Sequence, residues 1–141
     1  MKRDYFIALE QHSNNSPLAL PDVVDQLAFN EQGLIPVITQ DASTKSILML
    51  AWMNKESLEQ TLMTKRITYW SRSRQQLWVK GETSGHTQKL VSMAFDCDGD
   101  AVLCLVDQSG ATCHTGRQDC FYLIVDIERN QVFIKGKSTE A

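Results

Sequence analysis

The sequence predicts an α+β fold, mostly antiparallel β-sheet with two or three short helices. Three observations lead there. About eight short runs carry the apolar, β-branched or alternating composition of strands. Several are separated by turn signals short enough for hairpins, with Asp98-Gly99 the strongest. The few helical segments do not alternate with the strands as βαβ units.

Each element follows from local chemistry. Residues 1–28 read as a peripheral extension, part helical. Gln11 to Pro17 is a polar loop, and Pro21 to Ala28 is a short helix with Val23, Val24 and Leu27 at helical spacing. Leu34 to Thr39 is a strand, and Pro36, which has no N–H to donate, assigns it to an edge or a bulge. Ile47 to Trp52 is its hairpin partner across a turn at Asp41 to Lys45. Asn54 caps a helix from Lys55 to about Lys65, with Leu58 and Leu62 on its inner face. Ile67 to Ser71 and Gln76 to Val79 are strands around the polar turn Arg72–Gln75, and Gly81 to Gly85 is a loop. Lys89 to Asp96 and Ala101 to Val106 pair through Asp98-Gly99. Phe121 to Ile127 and Gln131 to Ile134 form a last hairpin around Arg129-Asn130. The main domain spans 29–127, and 128–141 form a C-terminal hairpin and tail.

Bulk composition narrows the function. With 141 residues and 43% hydrophobic side chains, the chain can bury one real core. Fourteen basic against seventeen acidic side chains give a net charge of −3, which argues against a nucleic-acid binder. No run is apolar enough to span a membrane, and Met1 to Glu10 lacks the apolar stretch of a signal peptide. A cytoplasmic address is the expectation, and there the four cysteines stay reduced. Clustered reduced thiols suggest a metal or a redox role rather than a disulfide frame.

The informative stretch is Asp96-Cys97-Asp98-Gly99-Asp100, followed by Cys113-His114-Thr115-Gly116-Arg117 and Cys120. Three scattered cysteines are too few for a closed structural zinc site. Three thiolates on one zinc leave a position open for water, as catalytic sites do. Cys104 lies inside a continuous apolar strand and reads as a small buried hydrophobe. The plain alternative is unrelated buried thiols. If extended, Asp96, Asp98 and Asp100 share one side and Cys97 the other. Carboxylates gathered so closely repel unless solvated or bridged by a cation, and oxygen ligands suit Mg²⁺ or Ca²⁺. The plain alternative there is a solvated hairpin tip. The strand Ala101 to Val106 carries the chain roughly 20 Å from the turn. Cys113 rejoins Cys97 only if the following segment runs straight back. Otherwise the ligands meet across a subunit interface, so a homodimer with shared metal sites is expected.

From Lys65 to Lys89 the charge reverses: Lys65, Arg66, Arg72, Arg74, Lys80 and Lys89 face only Glu82. Arg72 and Arg74 can point one way if extended, and guanidiniums beside serine hydroxyls suit phosphate oxygens. An ordinary solvated turn is the alternative. The loop from Lys80 to His86 holds two glycines and two hydroxyls, as a ligand-approaching loop would, without P-loop spacing. Trp52, Trp70 and Trp78 read as core. His114 directly follows a candidate zinc ligand, which marks it as an acid/base.

Taken together these segments resemble the phosphoribosyl-AMP cyclohydrolase family. The matching runs are Gly-Leu-Ile-Pro-Val (33–37), Leu-Met-Leu-Ala-Trp-Met-Asn (48–54), Tyr-Trp-Ser-Arg-Ser-Arg (69–74), Lys-Gly-Glu-Thr-Ser-Gly-His (80–86), Asp-Cys-Asp-Gly-Asp (96–100), Cys-His-Thr-Gly-Arg (113–117) and Asp-Cys-Phe-Tyr (119–122). The resemblance implies a cytoplasmic, intertwined homodimer with one Zn²⁺ and one Mg²⁺ per subunit. Cys97, Cys113 and Cys120 match the family's zinc ligands, and Asp96, Asp98 and Asp100 its magnesium ligands. It implies the substrate 1-(5-phosphoribosyl)-AMP and the third step of histidine biosynthesis. That step would be a zinc-hydroxide attack on C6 that breaks N1–C6 and gives the phosphoribosylformimino imidazole carboxamide. His114 is the candidate general base, and Arg72, Arg74, Lys80, Ser84 and His86 are the candidate substrate contacts. Nineteen residues after Tyr122 are too few for the pyrophosphohydrolase domain that some members carry, so a monofunctional chain is expected. A non-enzymatic zinc-stabilised binding module is the main alternative, and a thiol redox protein the next.

Overall fold

The computed structural model describes residues 3–138. Its elements, in chain order, are α1 (Asp4–Leu9), α2 (Leu20–Gln26), β1 (Ile35–Asp41), β2 (Ile47–Met53), α3 (Lys55–Thr64), β3 (Thr68–Ser71), β4 (Gln76–Val79), β5 (Gln88–Phe95), β6 (Val102–Gln108), β7 (Leu123–Asp126) and β8 (Gln131–Ile134). The class is α+β, as the sequence predicts. The main sheet has the order β2-β1-β6-β5, and β3–β4 and β7–β8 form two separate hairpins. All pairings are antiparallel except β1 with β6.

β1 is a central strand, which corrects the edge expected from Pro36. The proline is the second residue of the strand, opposite Trp52 of β2, while the ladder to β6 begins one residue later at Val37. Its missing donor therefore falls outside that ladder. α3 starts where the cap residue requires. Asn54 Oδ1 accepts from Ser57 N–H at 2.8 Å, and Ser57 Oγ accepts from Asn54 N–H at 2.9 Å, a reciprocal capping box. The helix stops at Lys65, in the left-handed region at φ 66°. Leu58 is fully buried, which contributes roughly 1.5–3 kcal/mol.

Three residues of the N-terminal segment reach the core, although most of residues 10–22 are exposed. Phe6, Val24 and Leu27 belong to the same core as Ile35, Val37, Leu48, Met53, Val102 and Val106. Gly99 makes this possible, since a Cβ there would lie 2.2 Å from the Phe6 ring. The Ala28 N–H also donates to the Gly99 carbonyl at 2.8 Å. Thus the N-terminal segment packs directly on the Asp96–Asp100 turn. At the other end, the proposed domain boundary at 127/128 separates two strands, β7 and β8, that pair with each other.

A buried polar chain runs through the core. Thr39 Oγ1 and Tyr69 OH lie 2.7 Å apart, Tyr69 OH donates to Gln88 Oε1 at 2.7 Å, and Gln88 Nε2 donates to Gln108 Oε1 at 2.9 Å. Gln108 Nε2 then reaches the carbonyls of His86 and Ser109. Each buried group is satisfied, and the chain ties two surface loops, 81–87 and 109–120, to the sheet.

Candidate active site

Those two loops face each other across a cleft of about 570 Å³. Its walls include Arg74, Trp78, Lys80, Ser84 and His86 from one side, and Thr112, Cys113 and His114 from the other. The 81–87 loop turns sharply because Gly81 adopts φ 78°, and Gly85 N–H closes it onto the Gly81 carbonyl at 2.8 Å. A Cβ on Gly81 would lie 2.3 Å from the His86 carbonyl carbon. The 109–120 loop is held by Ser109 N–H on the Thr87 carbonyl and Cys120 N–H on the Leu48 carbonyl. Arg117 stacks its guanidinium 4.1 Å from the Tyr122 ring centre, and its Nε donates to the Lys135 carbonyl.

Cys113 and Cys120 come within hydrogen-bonding reach of each other. Burial disfavours the Cys113 thiolate. However, the Thr115 hydroxyl donating at 3.1 Å, the Cys120 thiol and the Arg117 charge outweigh burial and hold its pKa below the ordinary thiol value. Burial of the sulfur, with the neighbouring Cys113 charge next, pushes Cys120 up to about 11. Cys104, fully buried between strands, is pushed up to about 12 by burial alone and is an inert thiol.

Cys97 does not join this pair. It lines a different cleft with Phe6, Leu9, Val23 and Phe95, and its thiol donates to Asp98 Oδ1 at 3.7 Å. Among the described residues, no group of three or more His, Cys, Asp or Glu side chains within one chain is arranged to hold a metal. The Asp96–Asp100 stretch is a tight turn and not extended. Gly99 N–H donates to the Asp96 carbonyl, and Asp100 N–H donates to Asp96 Oδ1 at 2.9 Å. Asp96 and Asp100 consequently share a hydrogen bond between their side chains. That bond raises the Asp100 pKa; Asp96, although burial opposes it, is held low by that bond and by backbone N–H groups. Two carboxylates this close form an oxygen-rich donor set suited to a hard divalent cation. The Cys113–Cys120 pair is a soft donor set suited to zinc, with half of a tetrahedral shell supplied by one chain.

Arg72 and Arg74 part company. The turn places Arg74 on the main cleft, whereas Arg72 stacks 4.9 Å over Trp52 and lines a separate cleft with Gln32, Asn54 and Trp70. Both residues lie in a turn, so the extended-strand expectation that they point together does not hold. Lys80 is 9% exposed, and its Nζ donates inward to the Thr112 carbonyl at 2.6 Å. Of the tryptophans read as core, none is fully buried, and Trp78 forms a cleft wall against Tyr69. Thr112 and Arg117 were not singled out by sequence. A threonine before a cysteine carries no signal of burial, and the partners of Arg117 lie five and eighteen residues away.

A family model described as phosphoribosyl-AMP cyclohydrolase matches residues 49–122. A protein of that name from Roseobacter denitrificans is 62% identical over 98 residues, covering 70% of this chain and 77% of that protein. One from Granulibacter bethesdensis is 57% identical over 103 residues, covering 73% and 80%. Another, from Alkalilimnicola ehrlichii, is 50% identical over 121 residues, covering 86% and 85%.

Proposed function

The chain belongs to the phosphoribosyl-AMP cyclohydrolase family of hydrolases, and on that premise we propose that it opens the adenine ring of 1-(5-phosphoribosyl)-AMP. This is the third step of histidine biosynthesis, and its product is the phosphoribosylformimino imidazole carboxamide. The observation that carries the reading is Cys113, paired with Cys120 and standing next to His114 on the cleft wall.

Phosphoribosylation of N1 places positive charge on the purine, so C6 is electrophilic. Cys97, Cys113 and Cys120 would hold zinc, which would supply an acidified water as the nucleophile for C6. His114, adjacent in sequence to a candidate ligand and exposed to the cleft, would accept the proton of the attacking water and return it to N1 as the N1–C6 bond breaks. Oxygen is thereby added at C6 and hydrogen at N1, which completes a hydrolysis. Arg74, Ser84 and His86 line the cleft where the substrate's phosphates and ribose are held. Asp96, Asp98 and Asp100 would hold magnesium, which would supply positive charge for binding and orienting the substrate.

The third thiol is supplied by a second copy of the chain. Two observations support this. Within one chain only two of the three sulfurs meet. The β7–β8 hairpin also leaves Leu123, Val125, Val132, Phe133 and Ile134 more than half exposed, an apolar surface that a monomer would leave wet. That Zn²⁺ and Mg²⁺ each bind once per subunit follows from the twofold symmetry of such a dimer.

Adding phosphoribosyl-AMP to the native protein should produce the absorbance change of ring opening. A chelator should abolish it and zinc restore it; no change under any metal condition would contradict the reading. Arg74→Ala should raise KM more than it lowers kcat. Arg72→Ala should leave KM close to native and cost about 0.5–1 kcal/mol of stability through the lost Trp52 stacking. Equal KM effects in steady-state assays would remove the distinction between the two arginines.

A further inference from the structure

Lys80 ends β4 and immediately precedes the left-handed Gly81, so its side chain is directed by a rigid corner. Lysine is almost never this buried without a partner of opposite charge. Yet among the described residues no carboxylate forms a salt bridge with it. Its ammonium donates to the Thr112 carbonyl at 2.6 Å and lies 5.3 Å from the centre of the Trp78 ring. Burial lowers the Lys80 pKa, and the charges of Cys120 and Cys113 oppose that lowering; Lys80 and Cys113 line the same cleft. The acceptor carbonyl belongs to the residue just before Cys113, so Lys80 holds the backbone of a candidate ligand as well as facing the sulfur pair. Beside it, the Thr112 hydroxyl is buried without any partner. The bare chain thus gathers a cation and a spare hydroxyl around two thiols and supplies no anion to match them.

Resting on the zinc reading above, we infer that Lys80 is the buried counter-cation of the thiolate–zinc centre, a positioning residue and not a phosphate contact. Three thiolates leave a Zn²⁺ centre with one net negative charge. One ammonium fixed on the Thr112 carbonyl, in the same cleft wall as Cys113, offsets that charge. The same ammonium anchors the carbonyl that sets the direction of Cys113.

Zinc affinity measured by chelator competition on the full-length protein tests this. Lys80→Gln keeps an N–H donor for the Thr112 carbonyl and removes the charge. It should weaken zinc binding by about 10–100-fold, the usual effect of losing a group that supports metal ligands. Lys80→Arg keeps the charge and should bind zinc close to the native value. Native affinity in Lys80→Gln would overturn the inference, above all if its KM rose, since Lys80 would then be holding phosphate. Equal zinc loss in Lys80→Arg would also overturn it, because geometry and not charge would then matter. A native chain that takes up no zinc would remove both the thiol centre and this inference. Zinc held tightly by the native chain and equally by Lys80→Gln would remove the inference alone.

Discussion

Replacing His114 by alanine is expected to lower kcat by about 10²–10⁴-fold while leaving zinc bound. His114 lines the cleft, so its removal should leave the loop in place. The flanking segment is held independently: Cys113 N–H donates to the Arg117 carbonyl and Gly116 N–H to the Cys113 carbonyl. A thiolate centre needs a base more than a histidine-ligated one does, because three sulfur charges reduce the acidity of a metal-bound water. Zinc content and single-turnover rate, measured on the same sample, separate the outcomes. A variant that loses zinc would make His114 structural, and one that keeps its rate would make it a bystander.

Gly81→Ala is expected to cost about 2–4 kcal/mol of stability and to raise KM by at least about tenfold. The glycine has φ 78°, and the added Cβ would meet backbone, not a flexible side chain: the His86 carbonyl carbon at 2.3 Å and Thr87 N at 2.4 Å. Backbone cannot step aside without moving the loop, and the loop carries Ser84 and His86 into the cleft. Gly85→Ala is the informative control, since nothing lies within 4 Å of its Cβ position and only the positive φ opposes it. Denaturant melts and steady-state kinetics on both variants check the ordering. Equal, small effects would mean that the loop does not set the cleft.

Most elements were legible because their signals are local. The Asn54 cap, the Asp98-Gly99 turn and the apolar runs of β5 and β6 each depend on residues within a few positions of one another. What was missed depends on contacts between distant segments. α1 has six residues and no side-chain cap, and it is held by Phe6 against Gly99, ninety-three positions away. Pro36 in a central strand is tolerable only because the neighbouring ladder starts one residue later. Spacing alone could not show that Arg72 and Arg74 diverge, because that depends on the turn between β3 and β4. The same limit applies to Lys80. In sequence it is one cation in a basic run, and only the fold brings Thr112 and the cysteine pair to its tip. The expectation that Cys97 and Cys113 meet between subunits came from a chain-length argument. Within the chain, Cys97 and Cys113 line different clefts.

The central claim is that each zinc is bound by Cys97 of one subunit and by Cys113 and Cys120 of the other. Subunit complementation tests it. Cys97→Ser and Cys113→Ser, purified separately, should each lack zinc and activity. Unfolded together and refolded as a mixture, they should regain about a quarter of native zinc and rate, because half the dimers are mixed and each mixed dimer has one intact site of two. No recovery in a mixture shown to contain mixed dimers would contradict a centre shared between subunits.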